Sequence, residues 1–468
     1  METERFASES PEEQRFDWPL CYEAENEILR LIHEFTQQNT FCRELANRMQ
    51  EETGTLLIDW TDHLVVGPDV ENALGPVGFV KDEESEALHT QKVLFHPQAM
   101  LPRVMVDRER AAGAGVVALA IKVDHVSDFL AAQRLSNEPD GDPLSRFRRV
   151  RVSEDNGTWM EAVERRGYRG FVPVLCQSIQ IKSYLRATEL WQTRPRYLED
   201  EAEAYRRSHR ILDKMIALVG MDQACHIVFA EERRYWERRN HAARVQKFRQ
   251  DGLGLGWANH DHHTFRSSRR HFLGLMHFME KLGFERRERY YAGDEAGWGA
   301  QVWEQPVEGI VTFCDVDLQP GETEVDFSRQ PVPETDRLGT IGLWTALHGE
   351  SFLQAGMHHL ECRFDYEATR RQLSEAGVET MKPFSDFPFL KQAFTEGERW
   401  AVAPARIDAL LQGGKITPEQ AGHFRREGAM GSHLENLQRK GGFKGFNQKS
   451  VSAIIEATDP RQTHARAE

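Results

Sequence analysis

The second half of the chain repeats a short plan, and no other feature of the sequence narrows the possible fold as much. Residues 260–266 read as a strand, 269–282 as a helix and 284–291 as a strand, with two more strands over 299–303 and 309–315. The plan restarts with a strand over 357–364, a helix over 367–376 and a strand over 378–382. A β-α-β-β-β order used twice predicts paired modules whose strands curl around a shared cleft. The first strand of each module also carries the same pair. His262-His263-Thr264-Phe265-Arg266 and His359-Leu360-Glu361-Cys362-Arg363 each set an arginine four residues after a histidine. Positions i and i+4 share a face of a strand, so each strand aims an imidazole and a guanidinium the same way.

The first half reads differently. Ile28, Leu31, Ile32, Phe35, Phe41, Cys42, Leu45 and Met49 recur at three-to-four spacing, which predicts an amphipathic helix or helix pair stopped near Gly54. A strand is expected over 55–60. Strands, clearest over 112–123, and a short helix over 126–135 are expected through residue 150, with a turn-rich loop at 137–143. Residues 197–250 read as helical, and Gly252, Gly254 and Gly256 mark a break. The fold class expected is therefore α+β. Residues 1–250 would form an additional N-terminal mixed α/β domain of unassigned role. Residues 251–468 would form a metal-binding domain, with βαβββ modules at about 257–320 and 355–458.

Charge excludes one large class of function. Lys and Arg number 59 against 74 Asp and Glu, a formal net charge of −15. Nucleic-acid binding rests on a basic field, so no nucleic-acid partner is expected. Fourteen acids and five bases fall in the first 60 residues, which places much of the excess near the N-terminus. No run approaches the ~18 apolar residues of a membrane span, and the N-terminus lacks the basic and apolar regions of a signal peptide. The six cysteines show no CxxC pairing, and none has a motif that marks a nucleophile. Together these features lead us to expect a cytoplasmic protein without a membrane partner.

Chemistry concentrates in the histidines. Asn259-His260-Asp261-His262-His263 is the most polar stretch in any expected strand, and His358-His359 opens the second module. Imidazole is a common ligand of borderline metals, and open catalytic sites pair it with a carboxylate. Glu304, Glu361, Glu396 and Glu398 are the carboxylate candidates, and the residues alone do not choose among them.

These motifs resemble those of the bacterial 2-oxoadipate dioxygenase/decarboxylases, also called hydroxyglutarate synthases, a branch of the vicinal-oxygen-chelate metalloenzymes. The similarity covers roughly residues 257–458. His262-His263-Thr264-Phe265-Arg266 is similar to the family's His-Gly-Ala-Ile-Arg strand, and the stretch from Tyr290-Tyr291 to Pro306 follows in the same order. His358-His359-Leu360-Glu361-Cys362-Arg363 resembles its Asn-His-Leu-Thr-Pro-Arg. Phe394 to Ala403 matches its Phe-Gly-Glu-Ile-Glu-Gln-Arg-Gly-Val-Ala without a gap.

The resemblance implies Fe(II) held by His262, His359 and Glu398, with Glu304 as the competing carboxylate. Two histidines and one carboxylate form a facial triad that leaves positions open for a 2-oxo acid and dioxygen. Arg266 would bind a substrate carboxylate through its planar fork. Val451 and Ser452 resemble a pocket-lining segment of the family. The activity implied is an iron-dependent dioxygenase/decarboxylase acting on a small 2-oxo dicarboxylic acid. Another metal-dependent reaction on the same scaffold, isomerase or lyase, and a non-catalytic ligand-binding protein are the alternatives.

Several lesser features read as structural. Asp62-His63 is expected as a hydrogen-bonded loop histidine in preference to a metal half-site. The glycines at 252, 254 and 256 lack GxGxxG spacing and follow a helix, which argues against a dinucleotide site. Arg233-Arg234 and Arg238-Arg239 are interleaved with glutamates and read as a solvated helix face. Asn156-Gly157-Thr158 reads as a turn.

Overall fold

A computed structural model describes residues 18–111, 113–291, 297–322, 325–447 and 458–461. Helices α1 (Tyr22–Gln38) and α2 (Thr40–Arg48) come first, where the apolar spacing places them, and the second runs through a π turn to Gly54 at φ +68°. Residues 55–60 are not a strand. Leu57 and Trp60 are both buried, so the segment coils into the short α3 (Leu57–Trp60). The chain extends only at Thr61, whose hydroxyl donates to the Leu57 carbonyl at 2.9 Å.

Strand β1 (Thr61–Val66) leads through helical turns that include α4 (Glu71–Leu74) to β2 (Val80–Lys81), β3 (Gln91–Phe95) and β4 (Arg103–Asp107). Next come β5 (Val116–Lys122), α5 (Val126–Gln133), β6 (Phe147–Asp155) and β7 (Thr158–Arg165). The seven strands form one sheet in the order β2-β3-β4-β1-β5-β7-β6. Asn156 and Gly157, both at positive φ, turn the β6–β7 hairpin as the sequence predicts.

Helices α6 (Ser178–Gln192), α7 (Glu201–Val219), α8 (Met221–Glu237) and α9 (His241–Gly252) follow. The first repeated module is β8 (His260–Arg266), α10 (Phe272–Lys281), β9 (Glu285–Tyr291), β10 (Trp298–Gln305) and β11 (Ile310–Asp317). Helix α11 (Thr340–His348) leads to the second: β12 (His359–Arg363), α12 (Tyr366–Glu375), β13 (Ser385–Phe387), β14 (Leu390–Phe394) and β15 (Glu398–Trp400). Helices α13 (Pro404–Gln412) and α14 (Pro418–Glu427), absent from the sequence reading, precede the closing β16 (Ala429–Arg439). Residues 378–382 contribute only a bridge between Thr380 and Thr395, and the module's second strand begins at Ser385.

The paired βαβββ arrangement is present. The second sheet runs β13-β14-β16-β12-β8-β11-β10-β9, with β15 hydrogen-bonded to β16 off that path. Within each module the first strand pairs in parallel with the last, β8 with β11 and β12 with β16, and the remaining neighbours are antiparallel. Strands β8 and β12 join the modules, antiparallel, at the centre. This is the doubled plan that the sequence predicts, in an α+β chain.

The first sheet follows the same plan. Strand β1 pairs in parallel with β4, β5 with β7, and the two leading strands β1 and β5 meet antiparallel. Its second module lacks one strand, reduced to a bridge between Asp140 and Arg149 at the edge of β6. One face of this sheet is filled. The residues after β7 lay Phe171 edge-on against His63 at 4.8 Å, and Arg165 lies over the rings of Phe147 and Phe171 at 4.6 and 4.7 Å. His63 therefore stands on a strand, with its Nδ1 2.7 Å from Asp62, which also holds Arg165 at 2.7 and 2.8 Å.

Two large cores form, and Leu253, Leu255 and Ala258, just past the glycine break, join the first. Helices α1, α2 and α5 pack with the first sheet, whereas Trp191, Leu212, Met215, Phe229 and Trp236 of α6–α8 share a core with the second. Among the described residues no helix is long and apolar enough to cross a membrane.

Candidate metal centre

The cleft of the second sheet encloses a cavity of about 70 Å³. Trp298, Phe313, Phe394 and Phe446 wall it, and its polar lining includes Arg266, Asp315, His359, Glu361 and Glu435.

The register of the central strands brings these groups together. His359, Leu360 and Glu361 of β12 lie beside His433, Leu434 and Glu435 of β16, one for one. The same tripeptide, His-Leu-Glu, thus occurs twice in adjacent parallel strands. Parallel pairing in step sets Glu361 and Glu435 side by side. His359 Nε2 stands 3.3 Å from Glu361 Oε1 and 3.6 Å from Glu435 Oε2, and ligand atoms of all three residues lie within 4.8 Å of one another. Glu435 also accepts from Gln392 Nε2 at 2.8 Å. All three residues are buried. Burial pushes both carboxyls up, and at Glu435 the facing Glu361 adds to it. Burial holds the His359 imidazole neutral, well below its ordinary pKa.

His262 occupies the facing strand. Thr264 pairs with His359 and His263 with Leu360, and the ladder is irregular before Cys362, so Glu361 falls opposite that irregularity. His262 shares the β8 face that carries Thr264 and Arg266 into the cavity, and its ring lies 5.0 Å from Phe313. Its Nδ1 abuts Asp261, a buried carboxylate that Arg439 holds at 2.9 and 3.2 Å. The Asp261 charge raises the His262 pKa, but desolvation outweighs it and leaves the imidazole at about 4. Among the described residues, His262 Nε2 is buried without a hydrogen-bond partner. A carboxylate on one ring nitrogen and a free second nitrogen is the arrangement of a metal-binding histidine.

Arg266 is 1% exposed, with one nitrogen donating to Thr458 at 3.2 Å, while Nε and Nη1 have no hydrogen-bond partner among the described residues. Burial brings its pKa to about 10. Asp315, its register partner on β11, is pushed up to about 7 by burial, with Arg266 opposing.

The other carboxylates lie elsewhere. Glu398 pairs with Ser432 on β15, and its carboxylate caps α9 by accepting from the His241 N–H at 2.9 Å. Among the described residues, the ligand atoms that gather around His359 are those of Glu361 and Glu435. Glu304 pairs with Lys444 at 3.0 Å, and Glu396 is exposed. Arg363 lies 3.7 Å from Asp59. Val451 and Ser452 fall outside the described residues. Glu435 escaped the sequence reading because β16 was not anticipated. The repeated His-Leu-Glu was the signal that could have found it.

No family model matches the sequence, and no curated protein matches it. Solved structures do show a likeness. A mutant of 4-hydroxymandelate synthase from Streptomyces coelicolor is 15% identical, over 86% of this chain and 98% of that one, with a TM-score of 0.27. A putative hydrolase from Shewanella frigidimarina is 13% identical over 46% and 92%, with a TM-score of 0.32. Methylmalonyl-CoA epimerase from Mycobacterium tuberculosis is 15% identical over 38% and 87%, with a TM-score of 0.22.

Proposed function

We propose that this chain is a metal-dependent enzyme, an Fe(II) dioxygenase/decarboxylase acting on a small 2-oxo dicarboxylic acid. One observation carries the reading: a buried neutral imidazole faces two buried carboxyls in a cavity that also holds a guanidinium with two unused N–H groups. Unpaired buried donors and acceptors of this kind are costly unless a ligand completes them.

An imidazole and two carboxyls gathered in one place support a metal reading. His262 and His359 would supply imidazole nitrogens, and Glu435 or Glu361 would supply the carboxylate in place of Glu398. Fe(II) held there would polarise a chelating 2-oxo acid and activate dioxygen. Arg266 would bind the substrate's far carboxylate through Nε or Nη1, with a charge-assisted hydrogen bond. The aromatic walls would cover its methylene chain and keep water out. The small cavity suits a short acid.

Metal content and oxygen consumption test this reading. Protein purified without oxygen is expected to hold about one iron per chain, lost in His359→Ala and Glu435→Ala and kept in Glu398→Ala. Oxygen uptake is expected with a 2-oxo dicarboxylic acid. A chain that binds no metal with iron in excess overturns the enzyme reading, and loss of iron in Glu398→Ala alone restores the original triad.

A further inference from the structure

Resting on the metal reading, we infer that His358 is a positioning residue, which fixes the nitrogen that His359 turns toward the ion. Neighbouring residues of a strand point to opposite faces, so their side chains do not ordinarily meet. His358 sits just ahead of β12, and there the two rings do meet. Their Nδ1 atoms are 2.7 Å apart, and the rings stand 4.9 Å apart at 75°. The backbone holds His358 in place: its N–H donates to Thr264 at 2.9 Å, and its carbonyl accepts from the His433 N–H at 3.2 Å.

A neutral imidazole has one donor and one acceptor, so the Nδ1–Nδ1 bond has two arrangements. At 2.7 Å one of the two nitrogens must carry the proton and the other accept it. If His358 donated, His359 would carry its proton on Nε2, against the site where the ion belongs. If His359 donates, its Nε2 lone pair faces Glu361 and Glu435, the geometry a metal needs. The proton of His358 then resides on Nε2. That atom is buried without a hydrogen-bond partner among the described residues, and the Trp344 ring stands edge-on to the His358 ring at 5.4 Å. An unsatisfied donor at such a place is a cost to His358 alone, and service to His359 accounts for it.

The test is Co(II) binding to the full chain, in the wild type, His358→Leu, His358→Asn and His359→Ala. The leucine variant is expected to bind cobalt about 10–100-fold more weakly, the loss typical of removing an outer-shell partner. The asparagine variant, whose side-chain oxygen can stand near the lost Nδ1, is expected to recover most of that. In the wild-type cobalt protein, NMR should show a hyperfine-shifted, exchangeable N–H from His359 that is protected from solvent. It should persist in the asparagine variant. Unchanged affinity in His358→Leu, with binding abolished in His359→Ala, overturns the inference and leaves the metal reading standing. If the leucine variant fails to fold, the resonance decides: its absence in the wild type overturns the inference. A wild type that binds no cobalt, zinc or iron overturns both.

Discussion

At the scale of single residues, the cleft holds buried polar groups without hydrogen-bond partners among the described residues. Arg266 is the clearest. Replacing it with glutamine removes two unpaired N–H groups from the cavity without touching the imidazoles. The expected result is a rise in KM for the acid substrate of about 100-fold, typical of losing a buried charge partner, with metal content unchanged. Steady-state kinetics beside metal analysis checks both halves. Glu308 makes a different case. Its carboxylate accepts from Gly167 N–H and lies 3.1 Å from His226 Nδ1. Burial raises its pKa, but His226 and the bonded N–H outweigh that and bring it to about 2 from an ordinary 4.5. A lowered acid pKa stabilises the fold above the unfolded value, and that stability is lost as pH falls from about 4.5 toward 2. Denaturant midpoints of wild type and Glu308→Gln should therefore differ most near neutrality and converge in acid. His359 and Arg266 were legible in the sequence because strand periodicity placed them. Glu435 was not, because the partner of a parallel strand lies 74 residues away in a segment without strong alternation.

Elements were legible where one face is buried and periodicity is plain. The strand at 260–266 was read to the residue, although both of its faces are buried. Residues 55–60 were misread because their apolar residues suit a short helix as well as a strand, and burial of Leu57 and Trp60 together decided it. Gly54 shows how tightly this corner is built. It sits at φ +68°, where a Cβ would lie 2.9 Å from the Thr369 backbone. Its carbonyl accepts from the Asp365 N–H at 2.8 Å and the Thr369 hydroxyl at 3.0 Å, fastening the first half of the chain to α12. Gly54→Ala is expected to cost about 1–3 kcal/mol from backbone strain, read as a lower urea midpoint with an unchanged slope.

For the whole molecule, the topology makes the chain two sheets built on one plan, and the helices between them belong to the second. Trp191 packs on Phe278 and Phe352, and Phe229 on Phe265. A fragment spanning 251–468 should therefore expose a large apolar face, bind a hydrophobic dye and lack a cooperative transition. A fragment from residue 175 keeps that core and should unfold cooperatively by calorimetry. The sequence showed the doubled plan in the second half and missed it in the first. There one strand has shrunk to a bridge, and helical turns stand where a full helix would.

The junction of β8 and β12 has a mechanical consequence. Histidines from both modules are fixed to one hydrogen-bonded fabric, since main-chain bonds cross the seam between them. A site divided between two bodies can be widened by a hinge, whereas one woven into a single sheet widens only by tearing rungs from the ladder. The spacing of the imidazoles is thereby set like the gauge of a rail, independent of how the two halves of the chain settle against each other.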